Sequence, residues 1–391
     1  MQLNPRFFAR GIFALLLLVG GLLLCIPSAP TPAWLPEDLR DEAIKAFRVT
    51  YQREPDRIDV ISVAGELAVR KYEFELARQC FGEIPTDHPL YGPSARFQQG
   101  QVLLKLNLAA AAEQQLLEYL ALSGIEFRRD AQQLLRYLLE IQLRFEERQV
   151  LLASMHSEGQ LIPSDALFYG YASLLRWNGE QAVDRCRQFY EKDPENPQLQ
   201  IAWAQYLGGS ASAQEGLQLI ESTLAKSPSN PRALAVKLFL LTELGQTDQL
   251  ATLNSTLLPP ERTDPWLMLR ARGQEALARD DLDLAERCFR LYIENDPTLT
   301  ACYFGLAEIA GKRGQAEQRS KLLETARQLA LIQNRLGGAQ FAPGDPTPYL
   351  KLAEQSLGIG LKRQAQLMAE SALIIDPQNS AAQATLKEFQ P

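Results

Sequence analysis

Prolines that close amphipathic segments recur through the second half of this chain at a spacing that only a repeating fold produces. Asp193-Pro194, Ser227-Pro228, Asp296-Pro297 and Asp376-Pro377 each end such a segment, and Pro194 and Pro228 stand 34 residues apart. Proline lacks the N–H that would continue a helix and drives the preceding residue out of the α region, so each pair marks a helix end. A short unit that recurs cannot bury its apolar face alone and must stack on its neighbours. Composition agrees with helix rather than strand. Alanine, leucine, glutamine and glutamate are abundant and β-branched residues sparse. The 46% apolar and 22% charged fractions of the 391 residues suit a folded body.

The period resembles that of tetratricopeptide (TPR) repeats. Placing the proline at position 32 of a repeat gives a frame that the resemblance fills with further demands. A small residue is wanted at position 8, and the chain supplies Gly65, Gly100, Gly170, Ala204, Gly273, Ala307 and Ala353. Another is wanted at position 20, where Ala77, Ala112, Ala182, Gly216, Ala285 and Ala365 occur. Position 24 wants a large apolar residue and holds Phe81, Leu116, Ile220, Phe289 and Leu323. Two antiparallel helices at close separation leave no room for large side chains at the crossing, so Ala285→Leu is expected to cost about 1–3 kcal/mol.

Nine windows begin near Ile58, Pro93, Phe127, Pro163, Pro197, Pro231, Trp266, Thr300 and Pro346, the first, fourth, seventh and ninth being the clearest. Three depart from the frame at position 20, with Glu146 in the third, Leu250 in the sixth and Arg319 in the eighth. At the first two, the helices splay or the register shifts. Residues 37–56 read as a lone second helix that starts the array, and Ser380 to Phe389 as a polar capping helix. The resemblance covers roughly residues 38–390. It implies an all-α, TPR-type right-handed α-solenoid whose concave face, built from the first helix of each repeat, binds peptides or helices.

A single hydrophobic helix is expected ahead of the array. Arg6 and Arg10 end a basic segment over 1–10, and an uncharged run follows over 11–26. Sixteen helical residues span about 24 Å, short of the roughly 30 Å hydrocarbon core unless Phe7 to Ala9 join the span and Arg10 snorkels. The run reads as a transmembrane signal-anchor, with a removed signal peptide as the alternative. Cleavage signals are poor: Pro30 follows Ala29, and Leu22-Leu23-Leu24 precede Cys25 where a lipoprotein signal wants a small residue. The positive-inside rule leaves the N-terminus cytoplasmic and the body outside the cytoplasm, periplasmic in a bacterium. Prolines 27, 30, 32 and 36 make a semi-rigid linker over 27–36. The TPR array then occupies 37–333, a Gly/Pro-rich loop 334–345, and a final repeat with its cap 346–391.

The residues point away from catalysis. Two histidines, His88 and His156, leave no inventory for a histidine metal site or general base. No P-loop, HExxH, GxSxG or paired-cysteine zinc pattern occurs. No catalytic residue, cofactor, metal or small-molecule substrate is expected. The five cysteines are widely spread and read as small buried hydrophobes, although a Cys288–Cys302 bridge is conceivable in an oxidising compartment. A net charge of −7 repels phosphates, so nucleic acid is not an expected partner.

The resemblance places positions 5 and 9 of each first helix in the concave groove, one turn apart on one face. The candidate protein-binding residues are Phe97, Gln101, Tyr171, Gln205, Phe239, Arg270, Gln274, Phe304 and Glu308. Aromatic anchors interleaved with polar groups suit an amphipathic helix or an extended segment. Ser62 and Glu66, or Phe97 and Gln101, do not match the lysine and asparagine of a carboxylate clamp. The expected function is a membrane-anchored scaffold for protein–protein interaction in the cell envelope; the alternative is an assembly or maturation factor that presents client proteins to an envelope complex.

Overall fold

The computed structural model describes residues 58–175, 180–338, 341–342 and 344–389. The expected anchor at 11–26, the linker and the starting helix over 37–56 lie outside the described residues. Every regular element among the described residues is an α-helix. In chain order these are α1 (Ile58–Arg70), α2 (Phe74–Glu83), α3 (Gly92–Lys105), α4 (Ala109–Leu120), α5 (Arg128–Ile141), α6 (Phe145–Ser157), α7 (Pro163–Gly170), α8 (Glu180–Lys192), α9 (Pro197–Gly208) and α10 (Ala213–Lys226). They continue with α11 (Pro231–Glu243), α12 (Thr247–Thr256), α13 (Trp266–Ala278), α14 (Leu282–Asn295), α15 (Thr300–Lys312), α16 (Ala316–Gly338), α17 (Thr347–Gly358), α18 (Lys362–Ile375) and α19 (Ser380–Lys387). Two compact units divide the chain, one ending at Leu139 and the other starting at Glu140.

In the first unit, α1 pairs with α2 and α3 with α4. The frame's small residues lie at the crossings. A Cβ added to Gly65 would stand 2.8 Å from the Phe81 ring, and one on Gly100 would stand 3.0 Å from Leu116. Ala77 and Ala112, at position 20, are fully buried. In the second unit the pairs α9/α10, α13/α14, α15/α16 and α17/α18 form the same hairpin. A Cβ added to Gly273 would stand 2.6 Å from the Phe289 ring, and Ala285 and Ala365 are fully buried. Gly65, Gly100 and Gly273 are therefore required by the bulky position-24 side chain of the same repeat. Adding atoms there forces a shift in a close-packed interior.

One turn geometry recurs between the two helices of a repeat. Tyr72, Asn107, Gly245, Asp280, Gly314 and Gly360 all have positive φ and all fall at position 15 of their windows. At each, a backbone N–H three residues beyond the helix reaches back to a carbonyl five residues earlier, as in Gln246 N to Leu241 O at 2.9 Å and Leu361 N to Ser356 O at 2.8 Å. This αL closure satisfies carbonyls that the helix end leaves open. Glycine meets the φ at no steric cost in three of these turns; Tyr72 at φ 61° does so at the expense of strain.

The turn also fixes the register of the third repeat. Leu143, with φ 53°, is its αL residue and α6 starts at Phe145, both two residues late in the expected window. The register shifts rather than the helices splaying. Position 20 is then Arg148, not Glu146, and position 24 is Leu152, which is fully buried. The sixth repeat keeps its register, and Leu250 is buried at position 20. In the eighth, the Arg319 side chain lies along Gly311, 3.3 Å from a Cβ built there.

Two further segments differ from expectation. Helix α16 runs to Gly338, into the segment expected to be a loop from 334, because Leu336 is buried in the core with Tyr349 and Leu352. In the fourth window the first helix, α7, ends after eight residues. It packs on α18 of the last repeat. The atoms nearest a Cβ on Gly170 belong to Gln364, Leu367 and Met368, all at 3.8 Å. Leu167, Tyr171, Leu352, Met368 and Ala372 share one buried cluster.

Candidate protein-binding groove

The groove residues expected from the frame occupy three different environments. Phe97, on α3, is buried between Tyr119 and Phe127, with ring centroids 5.4 and 5.3 Å away, and Gln101 is buried one turn on. Tyr171 follows α7 and is fully buried. Gln205, Phe239 and Arg270 are half-buried, Phe239 packing against Gly208. Gln274, Phe304 and Glu308 are exposed. Phe304 keeps 50% of its surface open, while Cys302, Tyr303 and Leu306 of the same helix are buried.

In the second unit, the part of the stripe that is not exposed is covered by the chain itself. The α5–α6 turn forms one wall of a cleft: Leu143, Phe145 and Glu146 face Gln205, Arg232, Ala235 and Arg270 across it. Glu146 Oε1 accepts a hydrogen bond from Trp266 N at 2.7 Å. Trp266 opens α13, so a carboxylate meets the positive end of a helix whose first N–H groups have no partner within it. Arg232 donates to Gln142 O at 3.1 Å and also to Gln198.

Arg148 holds the turn together from within. It is fully buried, paired with the buried Glu140 carboxylate, and its guanidinium stands 5.0 Å from the Phe145 ring and 5.5 Å from Phe168. It also donates to Ala172 O at 3.5 Å, so one side chain links α5, α6 and the chain leaving α7. An isolated buried charge is prohibitively costly; the pair is stable because each member neutralises the other.

The chain beyond α7 continues along the repeats. The Tyr171 hydroxyl lies 2.7 Å from Ser356 Oγ on α17. Burial raises its pKa above the usual tyrosine range, partly offset by the Ser356 hydrogen bond. Ser173 Oγ is 2.9 Å from the Tyr292 hydroxyl and donates to Asp296. The outer flank is polar, with His156 Nε2 2.9 Å from Glu370 Oε2 and the Arg363 guanidinium 4.1 Å above the Tyr169 ring. Glu140, Arg148, Ser173 and Asp296 were missed from sequence. The signal available was the third window's failure at position 20.

Cys80, Cys186, Cys288 and Cys302 are free thiols in the interior, so Cys288 and Cys302 are unbridged. Burial pushes Cys186 up to about 12 and Cys288 up to about 11. Among the described residues no group of histidine, cysteine and carboxylate side chains could hold a metal ion.

No protein-family model matches the chain, and no curated protein sequence matches it. Solved structures that are similar include the Cut9–Hcn1 hetero-tetramer of the APC/C, at 18% identity and TM-score 0.31, covering 89% of this chain and 65% of that one. The chain thus spans less than two thirds of that structure's length. Pseudomonas aeruginosa PilF is similar at 17% identity and TM-score 0.30, over 58% of this chain and 97% of that one. The human IFIT1 dimer with m7Gppp-AAAA is similar at 12% identity and TM-score 0.38, over 90% and 85%. The class rests on the chain's own hairpins, with their recurring αL turn and small-residue crossings: this is a TPR-type helical-repeat fold.

Proposed function

We propose that the chain is a scaffold that binds other proteins through the open part of its first-helix stripe, and that residues 11–26 tether it to a membrane with the repeat body outside the cytoplasm. Exposed Phe304 is the observation that supports the reading. A large aromatic left in water at a groove position, between Gln274 and Glu308, offers apolar area whose burial favours association by roughly 25 cal/mol per Å². Aromatic anchors ringed by polar groups are where binding energy concentrates. The tether is supported by the uncharged run between Arg10 and the prolines.

The test uses tagged full-length protein in native membranes. Phe304→Ala is expected to abolish retention of a partner captured by the wild type while leaving far-UV helicity unchanged. Equal retention by both chains would remove Phe304 as an anchor. Resistance to alkaline carbonate extraction, together with protease access to the body only from the non-cytoplasmic side, is expected of the tether. Release into the soluble fraction would remove it.

A further inference from the structure

We propose that residues 257–260, in the segment joining α12 to α13, are a preformed polyproline II ligand that docks into an aromatic-lined groove on a partner protein. This contact is separate from the Phe304 stripe and goes beyond it: here the chain supplies the ligand and the partner supplies the groove.

The segment is an insertion in the repeat frame. Residues 193–196, 227–230 and 296–299 suffice to join α8 to α9, α10 to α11 and α14 to α15, whereas residues 257–265 intervene here. Its sequence, Leu257-Leu258-Pro259-Pro260, leaves the backbone little choice. Each proline fixes its own φ and holds the residue before it in the extended region. Leu257 has φ −81° and ψ 147°, close to the polyproline II values of about −75° and +145°. That helix has three residues per turn, so residues 257 and 260 share one edge while 258 and 259 lie on the other two. Burial follows this period. Leu257 packs on the apolar core and Pro260 is buried, whereas Leu258 is 83% exposed and Pro259 is exposed beside it.

A buried polar network holds the segment in place. Arg272 donates from Nη1 to Leu258 O at 2.9 Å and from Nε to Asn254 Oδ1 at 2.8 Å, and Asn254 donates to Glu275. All three side chains are buried. Arg272 Nη1 also stands 3.8 Å from Asp264 Oδ2, which accepts from Glu261 N at 3.0 Å. On the far side Asn295 of α14 donates to Arg262 O at 2.9 Å. A buried guanidinium is costly unless its donors are engaged, and here the engagement fixes a backbone carbonyl beneath an exposed leucine. The network thus immobilises two apolar side chains that bury little surface within the fold. A segment whose φ angles are preset loses little freedom on binding. Aromatic-lined grooves take such segments by laying flat rings against proline. The occupant's chemistry follows: a groove of tryptophan, tyrosine or phenylalanine side chains that receives Leu258 and Pro259.

The test places a photo-crosslinker at Glu261, exposed beside the segment, in the full chain in native membranes. Mass spectrometry then maps the adducts. They are expected on a partner protein, within a cluster of its aromatic residues. A peptide of residues 256–262 is expected to suppress them, and the same peptide carrying Pro259→Ala to need at least tenfold more. No adduct, adducts to lipid alone or away from aromatic residues, or equal competition by the two peptides would overturn the proposal. Leu258→Ser/Pro259→Ala in the full chain is expected to abolish the adduct with the urea midpoint unchanged, because both side chains are exposed. A lowered midpoint would make the segment a brace of the fold and also overturn it. Phe304→Ala is expected to leave the adduct in place, so failure here is distinguishable from failure of the stripe as a binding surface.

Discussion

The seventh and eighth repeats and the third and fourth windows are made from one repeat frame and use it oppositely. Between Trp266 and Gly338, one large side chain serves two repeats: Phe289 fills the space beside Gly273 and Gly305. The outside is tied by ion pairs between repeats, Lys312 to Asp280 at 2.7 Å and Arg313 to Asp283 and Glu286. From residue 140 to 175, position 20 is a buried arginine, and α7 packs on the last repeat rather than completing a tight hairpin of its own. Regular repeats need only their neighbours. A segment that reaches a repeat distant in sequence needs polar groups that specify where it lands.

The largest difference is expected at Arg148. Arg148→Met leaves the Glu140 carboxylate buried without its partner, and such a break costs about 3–5 kcal/mol. Urea denaturation of the full chain measures it. Adding Glu140→Leu to Arg148→Met is expected to recover much of the loss, since a well-packed apolar pair replaces a buried ion pair at little cost. If the single variant is as stable as the wild type, the pair does not hold the irregular segment.

In the regular region, Gly273→Ala places a methyl 2.6 Å from Phe289 Cε1. Overpacking of this kind costs about 1–3 kcal/mol. The Phe289 ring is itself hemmed in by Gly305, so it has little room to yield. A neutral result would mean that the hairpin relaxes more easily than its packing implies.

Glu146→Ala is smaller. It removes a carboxylate from the start of α13, an interaction worth about 0.3–1 kcal/mol at an accessible helix terminus. Because Glu146 lies on the α5–α6 turn and its acceptor contact is to Trp266 N, the loss is expected to loosen that turn selectively. Faster exchange at the Trp266 amide, with the α15/α16 hairpin unchanged, is the outcome that checks it.

The regular repeats were legible because their signals are local. A glycine eight residues into a helix, an alanine at position 20 and a phenylalanine at 24 all belong to one hairpin, and their spacing is fixed by helix geometry alone. The third window's register was not legible, because a non-glycine αL residue, Leu143, marks it and leucine carries no such signal. The groove stripe was legible as helix faces but not as surface. Whether Tyr171 or Phe304 faces solvent depends on what covers it, and Tyr171 is covered by Leu352 and Ser356 nearly two hundred residues away. Periodicity states which face a side chain shares and says nothing of a distant segment that docks there. The end of α16 was misread for the opposite reason. Gly337 and Gly338 look like a break, yet Leu336 just before them is needed in the core, and packing outweighs the roughly 1 kcal/mol helix penalty of a glycine.

Gly170→Ala gives the smallest expected effect and separates the two regions most sharply. A Cβ there meets Gln364, Leu367 and Met368 at 3.8 Å, ordinary contact distance. Alanine also loses less conformational freedom on folding than glycine, by about 0.5–1 kcal/mol in a helix interior and less at a terminal residue. The stability change is therefore expected within about 0.5 kcal/mol of zero, typical of a site with no special constraint, where Gly273→Ala loses several times that. The same substitution at the same frame position would thus read out two kinds of packing. If Gly170→Ala proves as costly as Gly273→Ala, α7 sits under a rigid neighbour like any other first helix, and the distinction drawn between the two regions disappears.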